Sequence, residues 1–309
     1  MEKKLNKEIL STIIYYDLLD YPLTSFEIWR YLLAVNNNQE TVNNERVNLS
    51  DVIKGLEDED VKKYVEEYQG YYFLKGREKL VGQRLERNKI SEKKFKKIFS
   101  IAKWLRFVPF VRMIAVTGTV AMKNAEKKSD LDLLVVLEHK RIFIGRTLVT
   151  LLVHLLGKRR YGRKITDRVC LNYFITTGSL GIELKDVFSA SEYAFARPVF
   201  GKKTFEEFQK ANGWIKNFMP NYEINEADGL KIAENFWVVR AVRGLGETIL
   251  GFDFLENWLK GWQTERIVRD PRTHRDGSII MADENSLVFL PEPRSPEIGR
   301  RFGERMAKI

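Results

Sequence analysis

Apolar and polar positions along the first thirty residues alternate with the period of a helix. Over Leu5–Asp20 the apolar side chains recur every three to four residues, which predicts an amphipathic helix that ends before Pro22. Thr24, followed three residues later by Glu27, has the pattern of a capping box. A second helix is therefore expected to begin there and to run through Leu33.

The pattern then changes from a helical to a strand period. Ser50 is the expected N-cap of a third helix over Asp51–Asp60, which follows an Asn-rich loop at Asn36–Asn44. The aromatic-rich stretch Tyr64–Leu74 contains the turn pair Gln69-Gly70 and predicts a β-hairpin. Three helices followed by a hairpin are the element order of a winged helix-turn-helix, so this region is interpreted as winged-helix-like.

The next region alternates between helix and strand. Residues 77–107 have the pattern of a charged and then amphipathic helix, which Pro109 ends. The mostly apolar run Val111–Thr117 predicts a buried strand. A short helix is expected over residues 120–125 and a second strand over Asp130–Leu137. The candidate chemistry lies on this strand–helix–strand unit.

More elements are predicted downstream. The apolar stretch Arg146–Gly157 is too short to span a bilayer, which needs about 20 residues, and is interpreted as a buried helix. Arg168–Thr176 is expected to be the next core strand. Two helices, Leu230–Leu250 and Phe252–Ile267, carry apolar and aromatic stripes that are expected to be core. The tail predicts an extended piece, a proline-rich turn and a final helix. The stripe residues are Ile232, Phe236, Val239, Phe254, Trp258 and Trp262.

These elements predict an α+β protein of three parts. We expect a winged-helix-like domain at 1–90, a central domain with a small mixed sheet at 91–222, and a C-terminal helical region at 223–309. The composition, with 44% hydrophobic and 30% charged residues, is that of an ordinary globular protein. The one cysteine, Cys170, excludes a disulfide framework and argues against a cysteine-based zinc site. Because no signal peptide or membrane segment is visible, a cytoplasmic location is expected.

The positive charge is concentrated in the central part. Residues 91–222 carry 25 basic and 11 acidic side chains, a net charge of +14, whereas the parts on either side are each at −2. A basic surface attracts polyanions such as nucleotides or nucleic acid, and the alternative is a merely solvated surface. The helix that should enter a DNA groove, Asp51–Asp60, is acidic where phosphate contacts need Lys and Arg. This argues against DNA binding and favours a scaffold or protein-contact role.

Asp130 and Asp132 stand at the start of the second predicted strand. Because side chains alternate along a strand, the two carboxylates face the same side, about 6–7 Å apart along the chain. Such a pair can share divalent cations, since Mg²⁺ prefers hard oxygen ligands and leaves positions open for phosphate oxygens. Metal ions held in this way stabilise the attacking and leaving oxygens of an in-line phosphoryl displacement. The alternative is a capped strand start with solvent-facing acids.

Gly118 and Thr119 lie between the first strand and the short helix. A glycine at this turn lets backbone N–H groups approach a phosphate closely, and the helix N-terminus adds a favourable dipole. Thr119 can contribute a hydroxyl. Lys123 and Ser129, in the segment before the acid pair, are further candidates for contacts with a nucleotide.

Gly118-Thr119 precedes Asp130-Leu131-Asp132 by ten residues. This stretch resembles the DNA polymerase beta-like nucleotidyltransferase superfamily, in which a hydrophobic–Gly–Gly/Ser motif precedes Asp–hydrophobic–Asp/Glu. A longer likeness over about residues 110–221, which includes Cys170-Leu171-Asn172-Tyr173 and Pro220-Asn221, is to little-characterised nucleotidyltransferase-domain proteins. The resemblance implies a small mixed-sheet nucleotidyltransferase core, Mg²⁺ or Mn²⁺ on Asp130 and Asp132, and a nucleoside triphosphate as substrate.

The superfamily usually carries a third carboxylate on the next core strand. Here that strand has Asn172, whose neutral amide is a weaker metal ligand and cannot act as a general base. Asp167, just before the strand, is the charged candidate, and Asn172 stays a candidate nucleotide contact. Glu192 and Arg197 are interpreted as structural. The basic cluster Lys158–Lys164 either meets a polyanion or is a solvated helix end.

The resulting hypothesis is an enzyme that transfers a nucleoside monophosphate from a triphosphate to an acceptor. The acceptor stays open between a small molecule, a protein side chain and an RNA end. Two alternatives are a nucleotide-sensing regulator that has lost catalysis, which Asn172 favours, and an antitoxin-like partner protein.

Overall fold

The computed structural model describes residues 2–34, 46–223 and 231–308, and these form an α+β protein. The Asn-rich loop predicted at Asn36–Asn44 lies outside them. The strands are β1 (Leu23–Thr24), β2 (Val65–Tyr68), β3 (Tyr71–Leu74), β4 (Val111–Val116), β5 (Leu131–Leu137), β6 (Val169–Thr176), β7 (Arg197–Phe200), β8 (Ile279–Ala282) and β9 (Ser286–Leu290). The helices are α1 (Glu2–Asp17), α2 (Ser25–Arg30), α3 (Leu49–Leu56), α4 (Glu59–Lys62), α5 (Lys79–Leu105), α6 (Gly118–Ala121), α7 (Ile142–Leu155), α8 (Val187–Ala194), α9 (Lys202–Ala211), α10 (Ile215–Phe218), α11 (Trp237–Leu250), α12 (Asp253–Val268) and α13 (Ser295–Met306), with a 3₁₀ turn at Pro271–His274.

The N-terminal region combines short helices with a three-stranded sheet in the order β1-β3-β2. The capping box at the start of α2 is confirmed, because Thr24 and Glu27 exchange side-chain and backbone hydrogen bonds. The hairpin of β2 and β3 is confirmed as well. Gln69 and Gly70 both have positive φ, at 53° and 79°, which suits the tight turn between twisted strands.

The third helix differs from its prediction. It ends at Leu56 instead of continuing to residue 60, and α4 begins separately, with the side chain of Asp58 accepting a hydrogen bond from the backbone N–H of Asp60. The prediction that Ser50 is the N-cap is wrong, since Asn48 takes that place and Ser50 lies inside α3. Asp58 favours a cap over a helix interior, and this breaks the segment in two.

The central sheet is mixed, in the order β7-β4-β5-β6-β9-β8. Strand β4 pairs antiparallel with β5, and β5 pairs parallel with β6 through the crossover helix α7. The predicted strands β4, β5 and β6 are therefore confirmed. The helix predicted at Arg146–Gly157 is confirmed as part of α7, but its predicted burial is wrong for much of its length, because Leu151 and Leu155 are exposed and burial is concentrated in the first turn of α7, at Val149 and at Val153. No helix in the described parts of the chain is long and apolar enough to cross a membrane.

The three predicted parts interlock. Helix α5 runs without a break across the boundary predicted at 90/91. The hairpin of β8 and β9 extends the central sheet at β6, and α13 packs on α1, where the rings of Tyr15 and Phe302 meet at 5.6 Å. Buried residues of all three parts belong to one core cluster.

The aromatic stripes of α11 and α12 do not lie where the pattern predicted. Val239 is fully buried, but Phe236, Phe254, Trp258 and Trp262 are exposed. The prediction that these four side chains are core is wrong. Helical spacing identifies an apolar face but does not say whether anything covers it.

Candidate active site

The acid pair enters the site at the start of β5. Asp130 directly precedes the strand and Asp132 is its second residue. In the parallel pairing of β5 and β6, Asp132 lies opposite Cys170. Oxygen atoms of both carboxylates and the Cys170 sulfur all lie within 4.8 Å of one another. The fold thus brings together two hard oxygen donors and one thiol, of which the sequence interpretation foresaw the two acids.

Gly118 is required by its closeness to Asp132. Its φ is +62°, and a Cβ built there would meet the Asp132 Oδ2 atom at 2.6 Å. The short helix predicted after β4 is confirmed, but its bounds are wrong, because α6 runs from Gly118 to Ala121 instead of over 120–125. Lys123 has a φ of 58°, which takes the chain out of helical conformation. A single turn of helix contributes little dipole, and the value of Gly118 lies in close approach of its backbone.

Glu192, from α8, supplies a third carboxylate at the same place. It lines the cavity that holds the acid pair, and it accepts a hydrogen bond from the backbone N–H of Gly118. Burial raises the pKa of Glu192 to about 7. The sequence interpretation took this residue as structural, and it lies 60 residues from Asp132 in a separate helix. Only the folded chain places it beside Gly118.

The closeness of these carboxylates to one another affects the pKa of Asp132. Burial is the main reason why the pKa of Asp132 is raised to about 7, and the negative charges of Asp130 and Glu192 add to it. Arg160 acts in the opposite direction: its Nη1 atom lies 2.5 Å from Asp130 Oδ2 and 3.5 Å from Cys170 Sγ. Burial and the two aspartates raise the pKa of Cys170 to about 12, so the thiol keeps its proton. The site attracts further positive charge.

Asp167 is not brought to the acid pair. Its carboxylate binds Lys94 Nζ at 2.8 Å and Lys97 Nζ at 2.5 Å, and it does not line the cavity. Asn172 does line the cavity, at a point where the pairing of β6 with β5 shifts register. The structure therefore gives Asp167 an ion-pair role and leaves Asn172 facing the site.

Of the remaining residues predicted to contact a nucleotide, some line the cavity and one does not. Thr119 and Ser129 line the cavity, and the Ser129 hydroxyl accepts a hydrogen bond from the backbone N–H of Glu126 at 3.0 Å. Lys123 does not line the cavity, and its Nζ atom is paired with Glu92 at 3.0 Å. Of the basic cluster before β6, Arg160 reaches the acid pair.

Polar side chains at successive turns of α5 hold the loop between Gly118 and Asp130. Their spacing of three to four residues places them on one helix face. This arrangement fixes the loop that carries the candidate nucleotide contacts. The contacts are Arg84 Nη1 to Met122 O (3.2 Å), Arg87 Nη1 to Asn124 Oδ1 (3.2 Å), Ala125 N to Ser91 Oγ (2.9 Å), and Lys94 Nζ to Ser129 O (2.8 Å).

The cavity above the acid pair has a volume of about 560 Å³, within the range of small-molecule sites. One part is polar, around Gly118 and the carboxylates. The other part is apolar and is closed by elements from both ends of the chain: the C-terminal end of α1, the start of α8, and the hairpin of β8 and β9. The cavity combines a charged floor with apolar walls.

No family model matches the chain, and neither a curated protein nor a solved structure matches it.

Proposed function

We propose that this protein is a metal-dependent nucleotidyltransferase, which moves a nucleoside monophosphate from a triphosphate to an acceptor and releases pyrophosphate. One observation carries the proposal: Asp130 and Asp132 lie side by side on a cavity floor, and only a glycine fits next to them. The sequence resemblance to the polymerase beta-like superfamily supports it. In this interpretation the central mixed sheet is the nucleotidyltransferase core.

The donor set suits Mg²⁺ or Mn²⁺. Asp130 and Asp132 offer hard oxygen atoms, and the crowding that raises the pKa of Asp132 is relieved by a bound cation. These two residues would hold the metal, and Glu192 lines the same cavity outside the group of ligand atoms that lie within 4.8 Å of one another. The metal supplies charge neutralisation on the triphosphate. The protonated Cys170 thiol is a poor ligand and does not compete.

The chain's own groups have separate tasks. The closely approached backbone at Gly118 and the hydroxyl groups of Thr119 and Ser129 position phosphate oxygens. Arg160 can donate charge-assisted hydrogen bonds to the same oxygens. Glu192, whose pKa is raised to about 7, is placed to take a proton from the attacking group of the acceptor. The walls from α1 and the C-terminal hairpin exclude water, which limits hydrolysis.

One observation favours a second candidate, a nucleotide-sensing regulator. Glu192 already occupies the Gly118 N–H, and Arg160 already pairs with Asp130. A phosphate and a cation must displace both partners, so binding could act as a switch instead of leading to turnover. The N-terminal region, which we interpret as winged-helix-like, would then relay the signal. The acidic side chains of its third helix still argue against DNA as its target.

The test has two measurements. Calorimetry with Mg²⁺ and a non-hydrolysable triphosphate should show binding that the double variant Asp130→Asn/Asp132→Asn loses and the exposed control Asp276→Asn keeps. Transfer of the α-phosphate label of a triphosphate to a cell extract that contains small molecules, proteins and RNA should depend on Mg²⁺ and on the same acids. Binding without transfer supports the sensor, and equal binding by the double variant contradicts the site itself.

A further inference from the structure

A continuous apolar ridge covers α11, the turn after it and α12. Its side chains are between 48% and 72% exposed, although each is large and apolar. A typical monomer exposes such residues singly, so a contiguous set calls for an explanation. The apolar ridge consists of Trp237, Val242, Leu245, Ile249, Phe252, Phe254, Trp258 and Trp262.

The ridge is continuous from one helix to the next. Val242, Leu245 and Ile249 are three and four residues apart and share one face of α11. Phe252 follows in the turn, and its ring centroid lies 5.9 Å from that of Phe254. Phe254 is followed four residues later by Trp258, and Trp262 comes four residues after that. Apolar side chains therefore recur along both helices and in the turn that joins them.

The faces of the two helices opposite the ridge make hydrogen bonds to the central region. In α11, Glu247 accepts hydrogen bonds from the Phe110 backbone N–H at 2.9 Å and from Arg112 at 2.7 Å. In α12, the buried Glu256 accepts hydrogen bonds from the backbone N–H groups of Phe143 and Ile144 at 2.8 and 2.9 Å. Neither helix can turn its apolar face inward without breaking these contacts.

The area of the ridge exceeds what a monomer usually exposes. Aromatic side chains present about 150–250 Å² each, so these exposed fractions amount to roughly 800–1,000 Å² for the ridge as a whole. The largest apolar patch of a typical monomer is about 300–600 Å². A stable protein–protein interface buries about 800 Å² on each partner. One ridge has the area of one half of a dimer interface.

The charges within the ridge favour a second copy as the occupant. Glu247 and Glu256 lie on the inward faces. Two of the charges nearer the ridge are paired within the chain, Asp253 with Arg141 at 2.8 Å and Lys260 with Glu284 at 2.7 Å. Two ridges can therefore face each other without strong repulsion. The strongly basic segment, 91–222, lies outside the ridge. An anionic lipid surface or nucleic acid would call for several Lys or Arg side chains beside the aromatic residues, whereas among the described residues the cation in contact with a ridge ring is Arg266, which lies over Trp262 at 5.5 Å. Two-fold pairing of like surfaces is also the commonest form of oligomer.

We propose that the protein is a homodimer in which the apolar ridges of two copies pack against each other about a two-fold axis. This inference is independent of the proposed activity, because the ridge and the carboxylate cavity share no residue.

The experiment measures the mass of the full chain in solution by light scattering and sedimentation. Wild type should be a dimer at about 10 µM, whereas Leu245→Glu on α11 and Trp258→Glu on α12 should each be monomeric. The control Ile53→Glu, which changes an exposed apolar residue on α3, should remain a dimer. Circular dichroism should show the same helical signal for all four proteins.

Three outcomes would overturn the proposal. A monomeric wild type would remove the second copy as the occupant. A dimer that persists in both ridge variants would place the interface elsewhere. Wild type that remains monomeric but sediments with vesicles of phosphatidylcholine and phosphatidylglycerol, while Trp258→Glu does not, would identify a lipid surface instead.

Discussion

The carboxylate cavity and the apolar ridge depart in opposite ways from the rule that folded proteins usually expose their charged side chains and bury their large apolar ones. The cavity gathers the acids Asp132 and Glu192 where burial raises the pKa of each to about 7. The ridge leaves Trp237 and Trp258 in water. Each arrangement costs stability in the isolated chain. We propose that each is completed by something else: a cation and phosphates in the cavity, and an apolar surface on the ridge.

The largest expected effect sharpens the cavity side of this comparison. Gly118→Ala places a methyl group against Asp132 Oδ2 in a backbone conformation that alanine rarely adopts. Label transfer should fall by about 1,000-fold, similar to losing one aligned donor at a reacting centre. Gly82→Ala in α5 is the control, since its added Cβ meets nothing within 4 Å. It should keep full activity and gain about 0.5–1 kcal/mol of stability. Equal activity of both variants would contradict the role of Gly118.

The next effect separates two acids that the sequence could not rank. Glu192→Gln keeps shape but cannot accept a proton, so the rate of transfer should fall by about 100-fold with nearly unchanged triphosphate affinity. Asp167→Asn should keep most activity but melt earlier, because the buried Lys94 loses its charged partner. Rate assays and thermal melts of both variants decide this. The reverse pattern would return Asp167 to the site.

A third effect tests whether the buried acids strain the chain. An acid whose pKa rises on folding holds its proton more tightly in the folded state, so folding stability falls as the pH rises from about 4 to beyond the folded pKa of about 7. With a metal chelator present, Asp132→Asn should melt about 2–4 °C above wild type at pH 8, and the gap should narrow towards pH 4. The exposed control Asp276→Asn should show no such trend. A gap that does not change with pH would count against buried ionisation.

The smallest effect concerns the ridge. If two copies cover it, unfolding is coupled to dissociation, and the melting temperature must rise with protein concentration. A rise of a few degrees is expected between about 2 and 200 µM for wild type and none for Leu245→Glu. Calorimetry at several concentrations measures it, and a flat wild-type curve would argue that the ridge is uncovered.

Much of the fold followed from local patterns. The capping box at Thr24, the hairpin turn at Gly70 and the buried strands around Asp132 each rest on residues within a few positions of each other, and each was found. The acids at 130 and 132 could be paired because strand geometry fixes their common face.

What the sequence could not supply depends on contacts between distant segments. Glu192, on α8, lies beside Gly118. Nothing in the sequence around Glu192 distinguishes it from Asp167, whose carboxylate is instead paired with two lysines. Likewise, the aromatic spacing of α12 indicates an apolar face, but it is the same whether the core of the protein or a partner covers that face. The exposed Trp258 illustrates this, because its sequence pattern is identical to that of a buried stripe.

The contacts between α5 and the loop from Gly118 to Asp130 limit where this protein can be divided or recombined. Arg84 and Arg87 lie before residue 91, yet they hold the backbone or side chains at Met122 and Asn124. Arg84 also pairs with Glu27 at 2.7 Å. A fragment or chimera cut at residue 91 would sever the loop from its support while leaving every candidate catalytic side chain in place. The two regions are therefore expected to be inherited together, and exchange between related chains should tolerate breakpoints before α5 far better than within it.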